Sequence, residues 1–174
     1  MIRRLLMIAA LILAVSAAGS AQAPAAPVAE VRVYANMLQV MRGVLYPASN
    51  VIFTAQSDDP ASFKPGLRPS TSPDPFTSAY GGWEAVENAG LALSESANLL
   101  IVPRQCGNGR PAPVKNADWL LWVQELRDAG MAVYKAGQSK NQDTVIEAAD
   151  MMTTACANCH DKYREKPNLL DRCM

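Results

Sequence analysis

The chain has 174 residues, enough for one ordinary domain. Its 16 basic and 16 acidic residues balance to a formal net charge of zero, so it lacks the basic excess that attracts nucleic acid or an anionic membrane surface. It holds a single histidine, His160, which limits every metal-binding or acid–base hypothesis.

The first residues have the three parts of a secretory signal peptide. Arg3 and Arg4 form a positive start, residues 5–15 are apolar, and Ala21-Gln22-Ala23 fits the small-residue cleavage pattern. An uncleaved membrane anchor is the alternative, but this apolar run is short for a span of about 20 residues. We therefore predict cleavage after Ala23 and export to the periplasm.

Cleavage divides the chain into three parts. Residues 1–23 are the signal peptide, residues 24–29 a disordered leader, and residues 30–174 one domain without a membrane span. Removal of two arginines with the signal peptide leaves 14 basic against 16 acidic residues, a net charge of −2. Nucleic acid is therefore not an expected partner of the mature protein.

Four segments of the domain have apolar residues every three or four positions, which predicts amphipathic helices. They cover residues 30–56, 78–102, 116–136 and 142–164. Four such helices can bury one shared apolar seam, and the short third connection favours antiparallel neighbours. The predicted fold is all-α, an antiparallel four-helix bundle.

The predicted core comes from one apolar stripe on each helix. In the first helix a kink is expected at Pro47, which lacks a backbone donor and crowds the preceding turn. In chain order, the four stripes consist of Tyr34, Met37, Met41, Val44, Ala48 and Val51; Trp83, Val86, Gly90, Leu93, Ala97 and Leu100; Trp119, Trp122, Val123, Leu126, Gly130 and Val133; and Val145, Ala149, Met152, Cys156, Cys159 and Tyr163.

The last helix carries Cys156-Ala157-Asn158-Cys159-His160, the C-x-x-C-H pattern of covalent haem attachment. Two thiols at this spacing add to the two vinyl groups on one side of the macrocycle. The histidine that follows then lies over the ring and reaches the iron. The pattern predicts one covalent haem c, with His160 as an axial ligand.

Two other readings of this motif compete. A thioredoxin-like C-x-x-C belongs at the start of a helix that follows a strand, whereas this one lies near a helix end. A structural zinc site needs four ligands, which Cys156, Cys159, Cys173 and His160 would supply by number. The adjacency of Cys159 and His160 makes shared tetrahedral ligation awkward.

Residues 156–164, with the sequence CANCHDKYR, resemble the C-terminal haem segment of the cytochrome c′ family, the class II c-type cytochromes. The resemblance implies a four-helix bundle with His160 as proximal ligand, and it allows a helix-packed homodimer. It also implies that Arg164 lies beside the proximal haem face; the alternative is a solvated charge favoured by the helix dipole. The long loop at residues 57–75, Cys106 and the tail to Cys173 depart from the compact family pattern, which leaves haem access and the partner surface open.

Cys106 and Cys173 lie outside the haem motif. In an oxidising compartment two spare cysteines usually pair, so we predict a Cys106–Cys173 disulfide. Free or intermolecular thiols are the alternative.

The sixth iron position has no second histidine to fill it, which leaves methionine, a small exogenous ligand, water or nothing. In the resembled family the first helix crosses the distal haem face, which makes Met41 the candidate ligand and Met37 its reserve. Methionines at helical spacing are also ordinary core residues.

Two functions follow from these alternatives. With methionine bound, the protein would transfer electrons between redox partner proteins. With a vacant position, it would be a five-coordinate haem protein that binds NO or CO. Neither is an enzyme, because the sequence offers no spare base and no nucleophile arrangement; peroxidase-like activity would need distal acid–base groups that we cannot identify.

Overall fold

The computed structural model describes residues 30–63 and 80–173. The predicted signal peptide, the predicted leader at residues 24–29 and most of the predicted long loop lie outside the described residues. The chain divides into the units Met1–Arg32 and Val33–Met174, and the helices among the described residues belong to the second.

The described residues form four main helices. They are α1 at residues 37–57, α2 at Trp83–Leu100, α3 at Ala117–Ser139 and α4 at Gln142–Tyr163. Helix α2 packs on α3, α3 packs on α4, and α1 contacts both α2 and α4. The described part is all-helical, with one isolated bridge between Gln105 and Pro111 as its only β pairing. The prediction of an all-α fold is confirmed for the described residues, and their helix contacts are compatible with a bundle.

Across these described helices, none combines the length and the apolar character that a bilayer span requires. Each instead has one buried face. The predicted stripes of the last three helices supply most of the core, with Val86, Leu93, Ala97, Trp119, Val123, Leu126, Val133, Val145, Ala149 and Met152 all buried.

Helix α1 contains a π turn at its centre. An α-helical turn at Met37–Val40 is followed by π-helical Met41–Leu45 and then by α-helical Tyr46–Ser57. The N–H of Tyr46 donates to the carbonyl of Met41, five residues earlier. The next residue, Pro47, has no N–H and crowds the turn before it, which a widened turn relieves. The predicted irregularity at Pro47 therefore takes the form of a π turn.

The π turn lengthens one step of the buried face of α1 to five residues, from Val40 to Leu45. The predicted stripe placed Tyr34 and Val44 in the core, but they are 87% and 38% exposed. Tyr34 precedes the helix, which begins at residue 37 and not at residue 30. Because a π turn holds more residues than an α turn, Leu45 takes the buried position expected for Val44, followed by Ile52 and Ala55.

Helices α2 and α3 meet backbone to backbone at two glycines. A Cβ added to Gly90 would lie 2.7 Å from the carbonyl oxygen of Gly130 and 2.5 Å from the backbone nitrogen of Tyr134. Nearby, Ser94 Oγ donates to the carbonyl of Arg127 at 2.9 Å. Any side chain at either glycine would push the two helices apart.

The loop between α2 and α3 holds both ends of the described domain. Cys106 and Cys173 lie at disulfide distance, with Cα atoms 4.6 Å apart, so the predicted pair is brought together. The N–H of Met37 donates to the carbonyl of Gln105 at 2.8 Å. The amide of Asn108 donates to two carbonyls of the C-terminal tail, at 2.7 Å each. This loop thus joins the start of α1 to the segment after α4.

Candidate functional site

Helices α1, α3 and α4, with part of α2, enclose a cavity of about 500 Å³, a size typical of small-molecule sites. Its walls are mainly apolar, with leucines from α1, α2 and α3 and the rings of Trp119 and Trp122. Five of the predicted site residues line it: Cys156, Cys159, His160, Arg164 and Met41.

The motif residues share one face of α4. Helical side chains three and four positions apart point the same way, which places Cys156, Cys159 and His160 together on the cavity wall. Each of the three is half-buried, and both cysteines are unpaired. Helix α4 begins at Gln142, where the side chain of Asn141 caps its first turn, and it ends at Tyr163, just beyond the motif.

The two candidate methionines of α1 occupy different places. Met41, the first residue of the π turn, lines the cavity and is half-buried. Met37 is 1% exposed, belongs to the hydrophobic core and is not among the residues that line the cavity. Of the two predicted ligands, the structure brings only Met41 to the motif residues.

Two arginines line the otherwise apolar cavity. Arg164 follows the last residue of α4 and pairs with the carboxylate of Glu165, so it is both a cavity residue and a helix-end charge. Arg42 reaches the cavity from the π turn of α1. Sequence reasoning missed Arg42, because it searched for iron ligands and for one apolar stripe, although Leu38, Met41 and Arg42 share the spacing of a single helix face.

The last turn of α4 is braced against the start of α3. The ring of Tyr163 packs edge-on against Trp119 and Trp122, with ring centroids 5.0 and 5.9 Å away. Its hydroxyl donates to Asp118 Oδ1 at 2.8 Å, and the ammonium of Lys162 pairs with the other oxygen of the same carboxylate. One turn deeper, the amide of Asn158 donates to Glu125 at 3.1 Å. The predicted core role of Tyr163 is therefore only part of its function.

Burial sets the protonation of the motif residues. It raises the pKa of the Cys156 thiol, and it raises the pKa of Cys159 to about 12, with the charges of Cys156 and Asp118 adding to the effect. Burial also lowers the pKa of His160, helped by the positive charge of Arg164. At neutral pH both thiols are protonated and the imidazole is neutral, the form in which histidine coordinates metals.

The competing readings of the motif fit this geometry less well. Thioredoxin-like cysteines have a lowered pKa at a helix start, whereas these thiols have a raised pKa near a helix end. For zinc, Cys173 lies at disulfide distance from Cys106, which removes it from the four-ligand set. Within residues 30–63 and 80–173, no group of three or more His, Cys, Asp or Glu residues could hold a metal ion.

No family model, curated protein or solved structure matches the chain. The described residues form helices around a cavity that is lined by two thiols and one imidazole. Its chemistry is therefore inferred from these residues alone.

Proposed function

We propose that the chain is a periplasmic monohaem c-type cytochrome that transfers single electrons between redox partner proteins. Cys156 and Cys159 would hold the haem through thioether bonds, and His160 would be its axial ligand. The observation that carries the proposal is that these three residues line one apolar cavity of about 500 Å³.

The other cavity residues suit a flat apolar group that carries acidic substituents. Trp119 and Trp122 offer aromatic surface, and the leucines of three helices exclude water. The guanidinium groups of Arg42 and Arg164 can pair with carboxylates, which a macrocycle with propionate groups carries. When bound, haem supplies an iron that gains and loses one electron.

Met41 is the residue we propose for the second axial position. A thioether is a soft donor that suits haem iron, and with histidine opposite it raises the reduction potential and closes the iron to other ligands. Its place on the cavity wall supports this role, and the burial of Met37 in the core favours Met41 over this reserve candidate. Electron transfer is accordingly the favoured function.

Binding of NO or CO to a five-coordinate iron is the second candidate. It is favoured by the apolar side chains that α1 adds to the cavity beside Met41, namely Leu38 and Leu45. In this case Met41 would be an ordinary wall residue. The spin state of the iron separates the two candidates.

We also propose that the bundle is antiparallel and cytochrome c′-like. The helix count, the motif on the last helix and the contribution of the first helix to the cavity all support the likeness. The exposed Val44 and Phe53 of α1 are compatible with the homodimer that the resemblance allows. Periplasmic export is supported by the signal-peptide pattern and by the disulfide-distance cysteines, which suit an oxidising compartment.

Mass spectrometry of the denatured protein tests the haem proposal. The full chain should be exported with a competent cytochrome maturation system, and its mass should include one haem adduct and begin at Pro24. Replacing both Cys156 and Cys159 by Ala should abolish the adduct. Replacing both Cys106 and Cys173 by Ala is the matched control and should preserve it. A wild-type mass without haem would overturn the proposal.

A further inference from the structure

Asp118 bonds to three partners at once, in the first turn of α3. Its Oδ1 accepts from the Tyr163 hydroxyl at 2.8 Å and from the N–H of Trp119 at 2.9 Å. Its Oδ2 pairs with the ammonium of Lys162. A single carboxylate therefore ties the last two residues of α4 to the start of α3.

Two sets of contacts join Asp118 to residues that line the cavity or lie beside them. Lys162 and Tyr163 follow His160 by two and three residues on the same helical turn. Trp119, the neighbour of Asp118 in α3, lines the cavity and contacts the Tyr163 ring. The carboxylate of Asp118 and the indole of Trp119 therefore both hold the helical turn that carries His160.

The charge of Asp118 is not fully cancelled by its partner. The Asp118 side chain is 25% exposed, whereas that of Lys162 is 52% exposed, so solvent screens the ammonium more than the carboxylate. Trp119, whose N–H donates to this carboxylate, itself lines the cavity, so the charge lies one residue from the cavity wall. The field of this carboxylate therefore reaches the cavity.

We infer that Asp118 is a positioning residue for the haem site: it holds the His160 turn through Tyr163 and Lys162, and its charge favours the oxidised iron. This inference rests on the proposed haem function. An added negative charge stabilises the ferric state over the ferrous state, which lowers the reduction potential. Lys162 opposes that effect, so the two side chains act on the potential with opposite signs.

Four single variants of the haem-loaded, full-length protein separate charge from position. Asp118→Asn retains one acceptor oxygen for Tyr163 but loses the negative charge and the acceptor for Lys162, so the potential should shift upward. Lys162→Gln leaves the carboxylate unpaired, so the potential should shift downward. Asp118→Ala loses the hydrogen bonds as well, and the absorption bands of the axial ligand field should change beyond the spectrum of Asp118→Asn. Asp118→Glu should restore the wild-type spectrum.

Asp171→Asn is the matched control, because Asp171 forms an exposed ion pair with Arg110 and does not line the cavity. The reduction potential of the Asp171→Asn variant should equal that of the wild type. Shifts of the same sign in Asp118→Asn and Lys162→Gln, or no shift beyond the control in either, would overturn the inference while leaving the haem proposal intact. A wild-type chain without haem adduct, measured first, overturns both. Should Asp118→Ala fail to fold, the opposite signs of the two charge variants still decide the question.

Discussion

The indole nitrogen of Trp119 donates a 2.9 Å hydrogen bond to the carbonyl of Leu100, the last residue of α2. Trp119 is fully buried, lines the cavity and stands in the first turn of α3. One side chain therefore closes the end of α2, anchors the start of α3 and forms part of the cavity wall.

Trp119→Phe should destabilise the protein by about 1–3 kcal/mol, because the Leu100 carbonyl would remain buried without its donor. Urea unfolding monitored by circular dichroism measures the change. Trp122→Phe is the control, since Trp122 is only half-buried, and it should lower the free energy of unfolding by clearly less. Equal costs for the two variants would argue against the importance of the hydrogen bond.

Gly90→Ala should destabilise the protein by about 1–3 kcal/mol or more, because the added Cβ meets the backbone of α3, which cannot yield without separating the helices. Gly43→Ala is the matched control. A Cβ on Gly43 meets nothing within 4 Å, and alanine favours the helical conformation, so its stability should stay within about 1 kcal/mol of the wild type. Thermal unfolding compares the two, and a neutral Gly90→Ala would contradict the close packing of α2 and α3.

Loss of the Cys106–Cys173 link should lower the free energy of unfolding by about 2–4 kcal/mol, since it frees a tail and a loop separated by 67 residues in sequence. Urea unfolding of the Cys106→Ser/Cys173→Ser variant, compared with the wild type, measures this loss. A thiol reductant should destabilise the wild type and leave the double variant unchanged. Recovery of both cysteines as alkylatable thiols from exported protein would refute the pairing.

The stability supplied by Asp118 should depend on pH. The hydrogen bond from Lys162, followed by that from Tyr163 and the attraction of the ammonium, holds the pKa of the Asp118 carboxyl below its usual value of about 4. Because the folded state binds this proton less readily than the unfolded state, the stabilisation is complete above the usual pKa. It is lost as the pH falls through the lower folded pKa. The advantage of the wild type over Asp118→Asn in urea unfolding should therefore be largest near pH 7 and shrink below pH 4; a gap that stays constant or widens in acid would exclude this linkage.

Met41→Ala should convert a low-spin ferric protein into a high-spin protein that binds carbon monoxide when reduced, because the soft ligand is removed. Absorption spectra of the haem-loaded variant measure this change, and the methionine-to-iron charge-transfer band in the red should be absent. Met37→Ala should leave the spectrum intact and instead cost about 2–5 kcal/mol of stability, since Met37 is a core residue. A wild-type protein that is already high-spin would contradict ligation by Met41 and would favour NO or CO binding as the function.

Local patterns were sufficient for the last three helices and for the motif. The repeats of three and four residues in α2, α3 and α4 predict their buried faces, because a regular helix preserves its register along its length. The same regularity makes the spacing of Cys156, Cys159 and His160 enough to put them on one face. These features need no knowledge of neighbouring helices.

The first helix and the brace around Tyr163 were decided by tertiary structure. The π turn before Pro47 puts a step of five residues between buried Val40 and buried Leu45 and leaves Val44 exposed. A hydrophobic period cannot reveal such an insertion. The bond between Asp118 and Tyr163 joins residues 45 apart in sequence, and it exists only because α3 and α4 pack at one particular height and rotation. The amino-acid sequence thus predicted the candidate site residues, and helix packing decided which side chains surround them.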